Sequence, residues 1–277
     1  PMTLIRVAHS PDSDDAFMFY ALAKGLIDTG EYEFEHVLSD IETLNREAHS
    51  GTYEVTAVSI HAYAYLDEQY ALLASGASMG DGYGPVLVAR EPIPVDRLGS
   101  IKVAIPGTLT SAALALKMWN PSLNTTVLPF DAVGPAVEAG KVDAGVVIHE
   151  GQLTWQDEGF TKLVDLGEWW AAETDGLPLP LGGNVVRRDL GGEAMVEVAR
   201  LLKESIVYSL EHRDPALDYA LDYGRGLARE KADRFVGMYV NDLTVDYGER
   251  GREGMKVFLE RAFNEKLIPK IPKLDFV

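Results

Sequence analysis

Short apolar runs alternate with longer amphipathic stretches along the first 190 residues of the chain. The apolar runs are rich in valine, isoleucine and alanine, and their short length is typical of buried strands. We predict strands at residues 4–8, 32–38, 55–59, 86–90, 101–105 and 144–148. The amphipathic stretches predict helices at 14–25, 40–50, 61–66, 110–119 and 132–139. Strands that alternate with helices in this way predict an α/β fold.

The last third of the chain has a different pattern, because from residue 192 onward it is almost entirely helical. The predicted helices there are 193–210, 214–224, 231–240 and 251–266. Two proline-marked segments, 91–94 and 177–183, precede this region. Proline lacks a backbone N–H group, so each segment is expected to end a strand and to form a crossover between lobes.

Two crossovers predict a discontinuous larger lobe, made of residues 1–92 and 180–277, and a smaller lobe of residues 93–179. Such lobes can open and close like a hinge around a ligand in the cleft between them. A single continuous sheet is the alternative arrangement.

Composition narrows the classes of partner. The net charge of −18 repels nucleic acid and anionic membranes, so we expect neither as a partner. It still allows a small anionic ligand, which backbone N–H groups can bind locally. The chain has no cysteine, which excludes disulfides, thiolate metal sites and a cysteine nucleophile. No run of about 20 apolar residues is present, so we expect no membrane span.

Polar side chains follow the predicted strands where ligands gather in open α/β sheets, at the carboxyl ends of strands near helix N-termini. These candidates are Ser10, Ser59, Thr110, Ser111 and His149. A role in helix capping alone is the alternative for each hydroxyl residue.

His149 ends the apolar run 146–148 and is the candidate for catalysis. An imidazole can exchange a proton near neutral pH, which suits a general base. A lone histidine is more often structural, but a strand end facing the expected cleft favours the catalytic role. The six histidines show no zinc-ligand spacing, and we predict no metal site.

A set of strings, in order over nearly the whole chain, resembles the 1,4-dihydroxy-6-naphthoate synthases of the futalosine route to menaquinone. The strings are Ser10-Pro11 with 17–22, 40–45, 82–85, 148–150, 177–182, 239–241 and 246–249. The resemblance implies a two-lobed fold like that of type II periplasmic binding proteins, used as a cytoplasmic lyase without a cofactor. It implies conversion of cyclic dehypoxanthinyl futalosine to 1,4-dihydroxy-6-naphthoate and dihydroxyacetone.

The resemblance also implies roles for individual residues. His149 matches the proton-accepting histidine of the family. Ala57, Val58 and Ser59 match one substrate-binding segment, and the pair Thr110 and Ser111 matches another.

The chain departs from the family pattern at two places. Members can carry lysine where Ala57 stands. The first motif of such members reads Ser-Pro-Cys-Pro-Asn-Asp-Thr, whereas this chain has Ser-Pro-Asp-Ser-Asp-Asp-Ala at 10–16. A variant substrate or a subfamily is therefore an open alternative.

Two other functions remain as alternatives. One is a chorismate dehydratase of the same pathway and fold, although the string at 148–150 favours the synthase. The other is a non-catalytic solute-binding protein for a small carboxylate. The sequence leaves open the oligomeric state and the group that orients His149.

Overall fold

The computed structural model describes residues 1–277 and places the strands in two mixed sheets. In chain order the strands are β1 (Thr3–His9), β2 (Tyr32–Leu38), β3 (Val55–Ser59), β4 (Tyr70–Leu72), β5 (Ser78–Gly80), β6 (Val86–Ala89), β7 (Lys102–Ile105), β8 (Asn124–Val127), β9 (Ala144–Val147), β10 (Thr161–Asp165) and β11 (Leu179–Arg187). The helices are α1 (Ser13–Ala23), α2 (Ile41–His49), α3 (Ile60–Tyr63), α4 (Ser111–Trp119), α5 (Phe130–Glu138), α6 (Gly151–Thr154), α7 (Leu166–Glu173), α8 (Gly192–Glu211), α9 (Arg213–Leu221), α10 (Arg229–Tyr239), α11 (Asp242–Val245) and α12 (Gly248–Asn264). None of these helices combines the length and the apolar character that crossing a membrane requires.

The first sheet has the order β2-β1-β3-β11-β4, with β5 paired to β11 as a sixth strand. β1 runs parallel to β2 and β3, whereas β11 runs antiparallel to β3, β4 and β5. The second sheet has the order β10-β6-β9-β7-β8, in which β7 is parallel to β8 and β9. We call the unit built on each sheet the first lobe and the second lobe. The α/β prediction is confirmed.

The sheet pairing corrects two details of the expected organisation. Val86–Ala89 was expected in the larger lobe, but it pairs with β9 and β10 in the second sheet. The first passage between sheets is therefore 81–85, and not the proline segment 91–94. The segment 177–183 was expected as a crossover, yet β11 begins within it at Leu179. Pro180 is tolerated there because the pairing with β5 is irregular between Pro180 and Gly182, so the ladder does not need its missing N–H. The remaining division of the chain into lobes stays a prediction.

Helix α1 packs in the core of the first lobe and positions the polar turn that precedes it, which is part of the site. Asp12 caps it, since its carboxylate accepts a hydrogen bond from the backbone N–H of Asp15. Phe17, Met18 and Phe19 are all buried, and the helix packs against α8 and α9. Because it is apolar on almost every side, α1 is held rigidly, and so is the polar turn before it.

Candidate active site

A cleft of about 700 Å³ lies between the two lobes. Every site residue predicted from the sequence lines it: Ser10, Ala57, Val58, Ser59, Thr110, Ser111 and His149. The first four follow or end strands of the first sheet, and the last three follow strands of the second. The structure thus brings all of them together, as expected for strand ends in an open α/β sheet.

His149 directly faces this cleft from the turn after β9. Its backbone has a φ of 53°, a left-handed conformation that is uncommon for residues other than glycine and concentrates at functional sites. The Nδ1 atom lies 2.8 Å from Oδ2 of Asp12, and the side chain is 17% exposed. The ring also meets Phe130 edge-on, with 5.0 Å between centroids. Nδ1 is therefore occupied, and Nε2 is the nitrogen left for a ligand.

The environment of His149 favours the form that can accept a proton. Burial lowers the pKa of the His149 imidazole, although the nearby carboxylates of Glu150 and Asp14 act in the opposite direction. A neutral imidazole is the base, because only it has a free lone pair.

Asp12 is the side chain that contacts Nδ1 of His149, and sequence reasoning missed this contact. It is 2% exposed; Oδ1 accepts from the N–H of Asp15 at 3.3 Å, while Oδ2 faces His149. The sequence indicated only its capping role. The two residues lie far apart in the chain and follow strands of different sheets, so the only available signal was that each stands directly after a strand.

Three neighbouring carboxyl groups, those of Asp12, Asp14 and Asp15, form an acidic wall. One oxygen from each lies within 4.8 Å of the others. Burial is the main reason that the pKa of each carboxyl rises well above its usual range, and the neighbouring carboxyls add to it. Such oxygen ligands suit a hard divalent cation, but two of the three have other partners: Asp12 faces His149, and Asp15 accepts from the N–H of Ser10 at 3.0 Å. Oδ1 of Asp14 is buried without a partner.

The opposite wall is built on the N-terminus of α4 and presents hydrogen-bond donors. The hydroxyl of Thr110 caps α4 by accepting a hydrogen bond from the backbone N–H of Ala113, and it donates one to the carbonyl of Gly107. The hydroxyl of Ser111 donates to the carbonyl of Leu181 at 2.6 Å and accepts from the N–H of His61 at 3.1 Å. Both hydroxyls are thus occupied within the protein.

The groups that remain free at α4 are backbone N–H groups. Those of Ser111 and Ala112 have no partner in the protein, as the first turn of a helix leaves them. Donors of this kind, together with the positive end of the helix dipole, form an anion site.

The floor of the cleft is lined by β3 and β11. The amide of Asn45 bonds Ser59 twice, with Nδ2 donating to Oγ at 2.9 Å and Oδ1 accepting from the backbone N–H at 2.8 Å. Ala57 and Val58 contribute apolar surface. Asn184 pairs with Ala57 across the strands, and its Oδ1 is buried without a partner. Asn184 directly follows the segment 177–183, which was predicted as a crossover, and no strand was predicted there, so sequence reasoning did not select it.

Hydrogen bonds and an ion pair join the lobes across both sides of the cleft. On one side, Glu150 accepts from the hydroxyl of Ser13 at 3.2 Å and pairs with Arg225 at 2.7 Å. On the other, Oε1 of Glu42 accepts from the N–H of Leu109 at 3.2 Å. The structure is therefore a closed form.

Comparison with known proteins agrees with this geometry. A family model described as menaquinone biosynthesis matches residues 5–264. A relative from Thermus thermophilus, named 1,4-dihydroxy-6-naphthoate synthase, is 37% identical over 276 residues, which is 100% of each chain. A second relative with that name, from Streptomyces coelicolor, is 35% identical and covers 96% of this chain and 95% of its own.

Solved structures show the same fold. The crystal structure of a protein from Archaeoglobus fulgidus has a TM-score of 0.92 and 49% identity, covering 96% of this chain and 98% of that one. The alkanesulfonate-binding protein of Xanthomonas axonopodis pv. citri, bound to MOPS, has a TM-score of 0.71 at 14% identity, covering 98% and 96%. The expected two-lobed fold of the periplasmic-binding-protein type is confirmed. Because the family model and both curated relatives extend over nearly the whole chain, this protein belongs to the menaquinone-biosynthesis family that includes the 1,4-dihydroxy-6-naphthoate synthases.

Proposed function

We propose that this protein is a 1,4-dihydroxy-6-naphthoate synthase, a lyase that converts cyclic dehypoxanthinyl futalosine to 1,4-dihydroxy-6-naphthoate and dihydroxyacetone. The observation that carries the proposal is a neutral histidine held by a carboxyl group in the cleft between two lobes, in a chain of this family. The cleft is lined by residues of both lobes, and small-molecule sites occur preferentially at such interfaces. A cytoplasmic location, which the sequence resemblance implies, belongs to the same proposal.

The substrate carboxylate binds at the N-terminus of α4. The free N–H groups of Ser111 and Ala112 donate to it, and the helix dipole adds to the attraction. No lysine stands at position 57, so recognition of the anion here relies on neutral donors. The hydroxyl of Ser10 and the amide of Asn184 line the same cleft and bind the substrate hydroxyls.

His149 starts the reaction by removing a proton from the bound substrate through Nε2. The electron pair released breaks a carbon–carbon bond in a retro-aldol-like step, and the bicyclic ring becomes aromatic. The departing fragment takes up a proton, which the His149 imidazolium can return. No net oxidation or reduction takes place, and the imidazole ends the cycle neutral.

The test is incubation of the purified protein with cyclic dehypoxanthinyl futalosine, followed by mass detection of the naphthoate and dihydroxyacetone. We expect both products. His149→Ala should lower kcat by about 10²–10⁴-fold, the usual contribution of a general base, while the substrate still binds. Near-normal turnover by His149→Ala would show that another group is the base.

Parallel incubations distinguish the alternatives. Release of an enolpyruvyl product from chorismate would identify a dehydratase. Tight binding of the futalosine derivative, recovered unchanged after long incubation, would identify a binding protein.

A further inference from the structure

The two members of the His149–Asp12 pair come from different lobes. Asp12 stands at the N-cap of α1, directly after β1 of the first sheet, and His149 stands after β9 of the second. Their contact of 2.8 Å therefore crosses the cleft. A separation of the two lobes would break this contact.

We propose that Asp12 is a positioning residue for His149: it holds the proton of the neutral imidazole on Nδ1 and so presents the bare Nε2 to the substrate when the cleft is closed. This inference rests on the proposed role of His149 as the base. Asp12 and His149 belong to different lobes, so Asp12 orients the base only when the cleft is closed. In this way Asp12 couples closure of the lobes to proton removal.

The hydrogen bonds of Asp12 support placing the imidazole proton on Nδ1, where it can be donated to the carboxylate. Its Oδ1 accepts from the backbone N–H of Asp15, which can only donate. An ionised Asp12 can only accept, so Oδ2 then takes the Nδ1–H of His149. A carboxyl protonated on Oδ2 would donate to Nδ1 instead, and the NMR measurement described below distinguishes the two cases. A proton on Nδ1 leaves Nε2 as an acceptor, because a neutral imidazole carries one N–H.

The immediate surroundings keep the pair in place. Phe130 packs against the ring of His149, and the guanidinium of Arg225 lies over Phe130 at 4.6 Å. Arg225 also pairs with Glu150, the next residue after His149. The turn that carries the base is thus fixed on both sides, so that the choice of tautomer falls to Asp12.

The sharpest test is Asp12→Asn. Asparagine caps helices as well as aspartate does and has the same size, so α1 should be retained. Its amide NH₂ group, placed where Oδ2 stands, would donate to Nδ1 and move the histidine proton to Nε2. We expect kcat to fall by about 10²–10⁴-fold, as for loss of a general base, with KM changed by less than about threefold.

Nitrogen-15 NMR of the histidine side chains measures the tautomer directly, with His149→Ala to assign the signal. We expect Nδ1 to carry the proton in the wild type and Nε2 to carry it in Asp12→Asn. A wild-type signal that shows the proton on Nε2, or on both nitrogens, would overturn the proposal. This readout needs no substrate, so it remains decisive even if the proposed reaction is not observed.

Two further variants control for folding. Asp165→Asn makes the same exchange at the cap of α7, where Asp165 accepts from Gly167 and Glu168, and it should change neither the tautomer nor kcat. Asp12→Ser keeps a capping hydroxyl but is too short to reach His149, so it should lose kcat as Asp12→Asn does. Full activity of a folded Asp12→Ser protein would contradict the inference.

Discussion

His9 makes the stability of this protein dependent on pH in a way that can be calculated. The ring is 4% exposed, stacks on Phe19 at 4.5 Å between centroids and meets His36 at 5.7 Å. Burial is the main reason that the pKa of His9 falls to about 3, with His36 acting in the same direction. His9 is therefore neutral in the folded protein over the whole physiological range.

The direction in which stability changes with pH follows from the unfolded state, where a histidine has a pKa of about 6.5. Below that pH the unfolded chain binds a proton that the folded chain does not, so stability falls as the pH drops from about 6.5 towards 3. Between pH 7 and pH 5 the unfolded state gains about 2 kcal/mol from this one group. The raised pKa values of Asp12, Asp14 and Asp15 have the opposite sign, so the contribution of His9 must be isolated by a variant.

Urea unfolding of the wild type and of His9→Gln at pH 7 and pH 5 isolates the contribution of His9 to the pH dependence of stability. Glutamine removes the titration and retains an N–H donor for the carbonyl of Ser10, which His9 contacts at 3.0 Å. We expect the wild type to lose about 2 kcal/mol more than the variant between the two pH values. His49→Gln, at an exposed position, should behave as the wild type does. Equal losses in wild type and His9→Gln would refute the assignment of a neutral buried histidine.

Two other substitutions test the packing. A methyl group at Gly167 would overlap the backbone carbonyl of Tyr83, so Gly167→Ala should lower the free energy of unfolding by about 1–3 kcal/mol. The control is Gly192→Ala, at a helix start with open space around it. This control should raise the free energy of unfolding by at most about 1 kcal/mol. The hydroxyl of Tyr247 is buried without a partner, so Tyr247→Phe should raise the free energy of unfolding by about 1 kcal/mol, and a loss of that size in chemical denaturation would show that the hydroxyl is paired in solution.

Most helices of the first lobe and its strands β1, β2 and β3 could be predicted from sequence because they are local and strongly patterned. Strand β11 was not predicted, since its first residues were taken for a crossover. Thr3–His9 and Val55–Ser59 each contain short apolar stretches, and each is followed by a helix. The short strands β4 and β5 were missed, since three residues are too few to show a period. The assignment of β6 to the first lobe failed for another reason: which sheet a strand joins depends on its partners, and the pattern of one strand does not reveal them.

The site was predictable in position but not in its contacts. The rule that ligands bind at strand ends selected five of the seven candidate residues, since it depends only on topology. Ala57 and Val58 were added only by the family resemblance. It could not show that the hydroxyl of Ser111 is occupied by Leu181 and His61, because these partners come from distant segments. For the same reason the pairing of Asp12 with His149 became visible only in three dimensions.

The two walls of the cleft would orient the proposed anionic substrate, even in a protein of net charge −18. Asp12, Asp14 and Asp15 lie beside His149, and any of them that is ionised repels a carboxylate, whereas the N-terminus of α4 attracts one. A substrate with its carboxylate on the acidic wall would also leave the N–H groups of Ser111 and Ala112 unpaired. Like-charge repulsion and unpaired donors both act against the reversed pose, which is how specificity often arises. The carboxylate-bearing ring should thus face α4, and the hydroxyl-rich fragment that leaves should lie next to His149.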